Sequence, residues 1–193
     1  MGKNILLLLG HPRVDSYCGA LADAYAQGAS AAGHTVRRYN LAELRFDVVA
    51  DGRWQQNAQT LEPDLLELQQ AMLWAQHLVL VYPTWWGVMP ALLKGFFDRT
   101  LLPGFAFRYR KGSPLWDRLL AGRSARALVT MDTPPWYFRW FIHMPGHRQL
   151  RHSILGFCGF KPVQVHSIGP VRGSRREQRE RWLQRVRRIA ATE

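Results

Sequence analysis

Cysteine and long apolar runs are both scarce in this chain. Its 193 residues include two cysteines, Cys18 and Cys158, whose spacing matches no metal-binding or disulfide pattern. The apolar run Ile5–Leu9 is not exceeded in length elsewhere, and it is too short for a signal sequence or a membrane span. We therefore expect a cytoplasmic protein without membrane insertion, in which residues 1–193 form a single domain.

Lysine and acidic residues are also few. Four lysines accompany 22 arginines, and with 14 acidic residues the net charge is +12. Such a basic chain can attract nucleic acid, a membrane surface or anionic small molecules, but it carries no recognised nucleic-acid motif, so we expect no nucleic-acid partner. The densest basic cluster, Arg172–Arg188, is interpreted as a solvated helix face, with an anionic partner as the alternative.

Both standard nucleotide-binding fingerprints, G-x-G-x-x-G and G-x-x-x-x-G-K-[ST], are missing. The chain instead alternates short apolar runs with helical patterns, which is typical of a parallel sheet covered by helices on both faces. The predicted strands are Asn4–Leu9, Thr35–Tyr39, His77–Tyr82, Ala125–Met131 and Val163–Ser167. We expect an α/β, flavodoxin-like, doubly wound five-stranded sheet of order 2-1-3-4-5.

Helix boundaries are indicated by capping residues. Ser16 is a good N-cap for a helix that runs to about Ala32, and Gly33 fits its C-terminal stop. The last helix is predicted to begin at Ser174, where Ser174 and Glu177 match a capping box. Three stretches are predicted to be largely irregular: Leu41–Thr60, Pro103–Ser124 and Asp132–Gly146.

Three loops follow strands that should be neighbours in this sheet. They are His11–Ser16, Pro83–Met89 and Asp132–Tyr137. The first enters a helix, whose free N–H groups can bind phosphate, and the second offers two indole rings beside a glycine. Together these features favour a phosphorylated aromatic cofactor, which flavin fits best. Taken alone, each loop is also compatible with ordinary core packing.

Several motifs resemble those of the NAD(P)H:quinone oxidoreductase (DT-diaphorase-like) family. They are His11 with Ser16-Tyr17, YPTWWGVMPALLKGFFDR at Tyr82–Arg99, GFAF at Gly104–Phe107, FCGF at Phe157–Phe160 and HSIGPV at His166–Val171. The resemblance spans nearly the whole chain. It implies a homodimeric, flavin-dependent enzyme that takes hydride from NADH or NADPH and passes it, through flavin N5, to a quinone or similar acceptor.

The same resemblance implies which residues form the site. Those implied to bind the cofactor are His11, Ser16, Tyr17, Cys18, Pro83, Thr84, Trp85, Trp86, Gly87, Asp132 and Thr133. Those implied to bind substrate are Phe107, Tyr109, Trp136 and Tyr137. No metal and no catalytic side chain are required, although Tyr137 is a candidate. The chain departs from the family at Pro134-Pro135, which cannot donate backbone hydrogen bonds.

The sequence leaves alternatives open for the identity of the flavin and for the function of the protein. FMN is favoured over FAD because Cys18 is a poor hydrogen-bonding residue, but Gln55 and Gln56 are candidates to contact the adenosine of FAD. A flavodoxin-type electron carrier is a second hypothesis, although such carriers are generally acidic. A flavin-binding accessory subunit of a membrane transporter is a third.

Overall fold

The computed structural model describes residues 2–52 and 59–193. Within these ranges the strands are β1 (Asn4–Leu9), β2 (Thr35–Asn40), β3 (His77–Pro83), β4 (Phe107–Tyr109), β5 (Trp116–Arg118), β6 (Ser124–Thr130) and β7 (Val163–Ile168). The helices are α1 (Tyr17–Ala31), α2 (Pro63–Trp74), α3 (Ala91–Thr100), α4 (Pro135–Trp140), α5 (Pro145–Arg148), α6 (Gly156–Cys158) and α7 (Arg176–Ala190). A 3₁₀ turn covers Leu41–Glu43, and a π-helical stretch, Gln149–Leu155, joins α5 to α6.

The main sheet is parallel and has the order β2-β1-β3-β6-β7. The predicted order is therefore confirmed, with β6 and β7 as the fourth and fifth strands of the sheet. In register, Leu8 lies beside Leu80, and Val81 lies beside Leu128. All seven residues of β3 are buried, as expected when helices cover both faces of a central strand.

Two hydrophobic cores lie on opposite faces of the sheet. Side chains alternate along β1, so that Leu6 and Leu8 enter one core while Ile5, Leu7 and Leu9 enter the other. The first core is closed by α2, α3 and the helical segment 145–158, and the second by α1 and α7. This layering leaves the strand ends free to carry the functional loops.

The irregular stretch after β2 is held by a buried arginine. Arg99 on α3 is only 2% exposed, and its guanidinium lies 2.8 Å from Glu62 Oε2. It also donates to the carbonyl oxygens of Asp47 and Thr60. These bonds fasten both described arms of this stretch to the body of the protein. Gln55 and Gln56 lie outside the described residues.

Two predictions of local structure need revision. The capping box is wrong: α7 begins at Arg176 after an Arg175 cap that makes no side-chain capping bond. The Ser174 hydroxyl donates instead to the Val171 carbonyl and accepts from Arg179 Nε. The stretch Pro103–Ser124 contains the antiparallel β4–β5 hairpin, because Trp116 stacks on Phe157, with ring centroids 4.4 Å apart, and anchors it.

The predicted caps of the first helix are confirmed. Ser16 accepts a hydrogen bond from the Gly19 N–H, and Gly33 follows the helix with a φ of +84°. Across residues 2–52 and 59–193, no helix combines the length and apolar character that crossing a bilayer requires.

Candidate functional site

Loops after β1, β3 and β6 meet at the carboxyl edge of the sheet. The Gly10 N–H donates to Val81 O at 2.8 Å, and the Thr84 N–H donates to Thr130 O at 2.7 Å. The His11 ring meets the Trp85 ring edge-on, with centroids 6.0 Å apart. The structure thus brings the three predicted loops together, with β3 between the other two strands.

The first loop presents a helix N-terminus. The Ser16 hydroxyl accepts from the Gly19 N–H at 3.2 Å, so Ser16 satisfies one of the amides that a helix leaves unpaired. The amides of Tyr17 and Cys18 belong to the same first turn and have no protein acceptor among the described residues. Two free N–H groups at the positive end of a helix form an anion site.

His11 lies in the loop that leads into this helix and is held by its own backbone neighbour. Its Nδ1 lies 2.9 Å from the Arg13 N and 3.0 Å from the Arg13 O, so the Arg13 backbone offers a partner to either neutral tautomer. Partial burial lowers the pKa of His11, and the nearby Arg13 charge acts in the same direction. His11 is therefore an uncharged imidazole at neutral pH, held by the Arg13 backbone.

The side chains of Tyr17 and Cys18 are already engaged by the protein. The Tyr17 hydroxyl donates to Arg179 O on α7 at 3.0 Å, and burial raises its pKa to about 12. Cys18 is buried with its Sγ 3.2 Å from Thr130 Oγ1, and burial raises its pKa to about 11. Both therefore contribute to the site through their backbone amides.

The second loop is a tight turn with an unusual residue at its apex. Trp85 and Val88 exchange two backbone hydrogen bonds, of 2.9 and 3.0 Å, across Trp86 and Gly87. The φ angles of Trp86 and Gly87 are +51° and +80°, which is the pattern of a type I′ turn. A tryptophan in the left-handed region is strained, and this one is 102% exposed.

This turn has two free amides, which define how it could hold a ligand. Because Thr84 and Trp85 already donate to protein carbonyls, their amides are not available. Those of Trp86 and Gly87 have no acceptor among the described residues. Pro83 is buried at the end of β3 and Thr84 is half-buried, so both support the turn from below.

Replacing Trp86 by glycine should raise the stability of the protein and weaken its binding of flavin. Glycine tolerates a positive φ, and the exposed indole gives up no buried contact, so the free energy of unfolding should rise by about 1 kcal/mol. That corresponds to about 2–4 °C in Tm. Loss of the indole should weaken flavin binding by about 3–10-fold. Calorimetric melting and fluorimetric flavin titration check the two effects.

The control is Trp86→Phe, which keeps both the strained backbone and an aromatic face. It should leave Tm and flavin affinity close to wild type. A Trp86→Gly protein that melts lower than wild type would show that the turn is not strained by its tryptophan.

Gly146, in α5, packs against the backbone of this turn. Its N–H donates to Gly87 O at 3.1 Å. A Cβ at this position would lie 2.7 Å from Gly87 O and 2.9 Å from the Val88 Cα. Only glycine permits this approach without moving one backbone or the other.

His147 follows in the same short helix and bonds to β7. It is 5% exposed, and its Nε2 lies 2.9 Å from Ser167 Oγ. Burial, assisted by the nearby Arg151 charge, lowers the pKa of His147 from 6.5 to about 4. The folded protein therefore contains a neutral imidazole that the unfolded chain would protonate.

This difference predicts acid sensitivity. Between pH 6.5 and about 4 the unfolded state binds the additional proton, so the free energy of unfolding should fall as pH falls through that window. His147→Gln retains a polar group but cannot titrate, and its stability should depend less on pH there. Denaturant unfolding at several pH values measures this. His152→Gln, in the exposed part of the same segment, should behave like wild type; equal slopes for wild type and His147→Gln would contradict the assignment.

The third loop is braced by a carboxylate. Asp132 Oδ1 accepts from the Arg172 N–H at 2.8 Å, which ties the loop after β6 to the loop after β7. Thr133 is half-buried beside it, and Pro134 is the residue before α4. The stretch predicted to be irregular thus contains the short helix α4 and the first two residues of α5.

The predicted substrate residues fall into two separate groups. Phe107 is half-buried against Phe157, with centroids 4.9 Å apart, and Tyr109 packs edge-on against Phe107. Trp136 and Tyr137 are exposed on α4. Among the described residues no aromatic contact joins either group to Trp85 or Trp86.

Sequence reasoning did not identify Gly146, Thr130 or Arg172 as supports of the site. Gly146 carried a weak signal, since a Pro-Gly pair ends the stretch that was expected to be irregular. Thr130 and Arg172 act through a buried hydroxyl and a backbone N–H, to which no sequence motif corresponds.

Comparison with known proteins agrees with this geometry. A family model described as a flavodoxin-like fold matches residues 3–190. An uncharacterized NAD(P)H oxidoreductase of Haemophilus influenzae is 27% identical over 172 residues, covering 87% of this chain and 84% of that protein. The ribosyldihydronicotinamide dehydrogenase (quinone) of Mus musculus is 28% identical over 219 residues, covering 97% and 92%. The solved NAD(P)H:quinone oxidoreductase from Methanothermobacter marburgensis is 25% identical, with a TM-score of 0.81 and coverage of 100% and 97%.

The chain therefore belongs to the family of proteins with the flavodoxin-like fold. Within that superfamily it is a member of the NAD(P)H:quinone oxidoreductase family, a family of enzymes. The resemblance stated from its motifs is confirmed.

Proposed function

We propose that this chain is a flavin-dependent NAD(P)H oxidoreductase. A flavin held by the loops after β1, β3 and β6 would supply hydride transfer through N5 from NADPH or NADH to a quinone or similar acceptor. The observation that carries the proposal is that two pairs of backbone N–H groups, without acceptors among the described residues, lie at the carboxyl edge of the sheet. Tyr17 and Cys18 supply one pair of N–H groups, and Trp86 and Gly87 supply the other.

The chemistry of these donors fits a flavin. Free amides at the start of α1 suit a phosphate, and apex amides on a type I′ turn suit the carbonyl- and nitrogen-rich edge of a planar ring. Trp85 and Trp86 add aromatic surface beside the ring position and would exclude water from it. His11 adds a polar imidazole beside the second loop, since its ring meets the Trp85 ring edge-on.

The protein's part is to bind and to orient. Ser16 keeps the α1 turn in shape by accepting the Gly19 N–H, and Gly146 holds the apex turn through Gly87 O. Asp132 keeps the third loop closed against the Arg172 N–H. Donors fixed in this way can stabilise negative charge that develops on the ring without reorganising. No described side chain is needed as a nucleophile or base.

FMN is proposed rather than FAD. The buried Cys18 thiol already contacts Thr130, and its raised pKa keeps it neutral, so it offers little to groups beyond the first phosphate. The solved relatives include a Bacillus anthracis FMN-dependent NADH-azoreductase, which is 18% identical and shares the fold.

A homodimer is proposed from the family resemblance and from exposed aromatic surface apart from the α4 tryptophans. Tyr137 and Phe141 stack with ring centroids 5.0 Å apart and are 43% and 64% exposed. Exposed aromatic pairs of this kind are typical of protein interfaces. Sedimentation analysis should give twice the chain mass; a monomer at micromolar concentration would contradict it. The two buried, unpaired thiols are compatible with the proposed cytoplasmic location.

The test is direct. Purified protein should have the visible spectrum of oxidised flavin, and heat should release FMN that chromatography identifies. It should then oxidise NADPH or NADH with menadione as acceptor. If FAD is released instead, the protein is still a flavin-dependent enzyme, but the proposal of FMN is wrong. Protein that binds no flavin after reconstitution would overturn the proposal, and flavin binding without NAD(P)H oxidation would favour the electron-carrier or accessory-subunit alternatives.

A further inference from the structure

A second concave site lies beyond β7, the edge strand of the sheet. We call it the edge pocket; its volume is about 550 Å³, within the range of small-molecule sites. It is lined by Pro135, Trp136, Arg139, Trp140, Met144, His147, Arg148, Arg151, Val165, His166, Ser167 and Arg185. These residues come from α4, the segment 144–158, β7 and α7.

The charge of the edge pocket has one sign. Four arginines line it and no carboxylate does. Among the described residues, salt bridges to carboxylates are made by Arg13, Arg38, Arg99, Arg110, Arg126 and Arg187, all outside this pocket. Within residues 2–52 and 59–193, none of the four lining arginines has a salt bridge: Arg139, Arg148, Arg151 and Arg185. Guanidinium groups that line one pocket without counter-charges suit a phosphate-bearing ligand, which they can bind through paired N–H groups.

Aromatic surface accompanies the charge. Trp136 and Trp140 on α4 line the pocket and are 61% and 66% exposed. The Arg139 guanidinium carbon lies 5.2 Å from the Trp140 ring centroid, so a cation and an indole already share this wall. Exposed indoles beside cations offer stacking surface to a planar base.

The floor of the pocket is polar but carries no negative charge. His147 and Ser167 bond to each other there, and His166 Nε2 lies 2.5 Å from Arg126 Nη1. Burial lowers the pKa of both imidazoles, which leaves them neutral. The floor therefore supplies hydrogen-bonding groups beneath a cationic rim and does not repel an anion.

We propose that the edge pocket binds the phosphates of a nucleotide, with its base against Trp136 and Trp140. The pocket adjoins the loop after β6, because α4 begins at Pro135, directly after Asp132-Thr133-Pro134, but the proposal does not depend on flavin. Two sources share this chemistry: the adenosine phosphates of NADPH, or a separate nucleotide that acts as an effector.

The first experiment is isothermal titration of the purified protein with ADP and with pyrophosphate. Arg151→Gln/Arg185→Gln removes two charges from the pocket and should weaken ADP binding at least about tenfold. The matched control, Arg176→Gln/Arg188→Gln, removes two charges from α7 outside the pocket and should have a much smaller effect. Equal losses in the two double variants would overturn the proposal, since general attraction to a basic protein would explain both.

A second comparison tests the base. ADP should bind several-fold more tightly than pyrophosphate, and Trp140→Ala should remove most of that difference while leaving pyrophosphate binding in place. If wild-type protein binds the two equally, the nucleotide assignment is wrong and the pocket recognises phosphate groups alone.

Steady-state kinetics distinguish NADPH from a separate effector nucleotide as the ligand of the pocket. This experiment rests on the proposed function. If the pocket holds the donor, Arg151→Gln/Arg185→Gln should raise KM for NADPH more than KM for NADH, at similar kcat. If it holds a separate nucleotide, both KM values should stay near wild type while ADP binding is lost. Should the protein lack NAD(P)H oxidation altogether, the titration still decides the proposal, so the two failures are distinguishable.

Discussion

Gly146→Ala should cost the protein most of its affinity for flavin while leaving the fold in place. The new methyl group would lie 2.7 Å from Gly87 O and 2.9 Å from the Val88 Cα, and both are backbone atoms that cannot rotate away. Either the apex turn or α5 must therefore shift by a few tenths of an ångström or more. Because the free amides of Trp86 and Gly87 belong to that turn, we expect flavin binding to weaken by about 10–100-fold.

Overpacking at this position should also lower stability by about 1–3 kcal/mol, so a control for stability is needed. Gly33→Ala supplies it: the residue has a φ of +84° with nothing within 4 Å of the added methyl, and it precedes β2 at the opposite edge of the sheet. It should destabilise by about 1–2 kcal/mol with unchanged flavin affinity. Flavin titration followed by fluorescence compares the two, and wild-type affinity in Gly146→Ala would remove Gly146 from the site.

The architecture could be predicted because its signals are local and repeated. β3 reads as an apolar run since both of its faces are covered, and α1 has a serine cap at one end and a glycine at the other. Strand order then follows from the general preference of alternating strands and helices for a doubly wound sheet. The three loops of the site were located by the same reasoning.

The shape of the second loop could not be predicted. Gly87 predicts a turn, but tryptophan is among the residues least expected at a positive φ. Nothing near Trp86 in the sequence indicates that its φ is positive. The turn is supported by Gly146, 59 positions after Gly87, whose N–H donates to Gly87 O. Tertiary packing therefore sets a backbone angle that local preference opposes.

The capping box failed for a related reason. The Ser174–Glu177 spacing fits the pattern, but the Ser174 hydroxyl finds other partners in Val171 O and Arg179. The edge pocket shows the same limit on a larger scale. The sequence drew attention to the cluster Arg172–Arg188, yet that cluster contributes only Arg185 to the pocket, because the other lining arginines come from distant elements that the fold brings together.

The largest loss of stability should come from Glu193→Ala. Glu193 Oε1 accepts from the Tyr25 hydroxyl at 2.7 Å and pairs with the Arg126 guanidinium, and His77 Nε2 lies 3.3 Å away. The Glu193 and Arg126 side chains are 5% and 10% exposed. Removing the carboxylate leaves a buried cation without its partner, which should cost about 3 kcal/mol and lower Tm by about 6–12 °C.

Acid titration provides a second readout of the same network. Burial alone would raise the pKa of Glu193, but the groups bonded to it, His77, Arg126 and Tyr25, outweigh burial and lower the pKa to about 2. The stabilisation is therefore complete above the unfolded value of 4.5 and is lost as pH falls through about 2. The difference in unfolding free energy between wild type and Glu193→Ala should shrink over that window.

Two further variants make the Glu193 prediction specific. Glu180→Ala removes an exposed glutamate, 3.7 Å from Arg187, and should change stability by less than about 1 kcal/mol. Arg126→Met/Glu193→Leu replaces both buried charges by apolar groups and should recover much of the loss. A double variant no more stable than Glu193→Ala would show that packing, not the stranded charge, sets the cost. The network lies beside the amino ends of β3 and β6, at the opposite end of the strands from the three loops of the site. Flavin affinity should therefore stay at its wild-type value in every folded variant of the series.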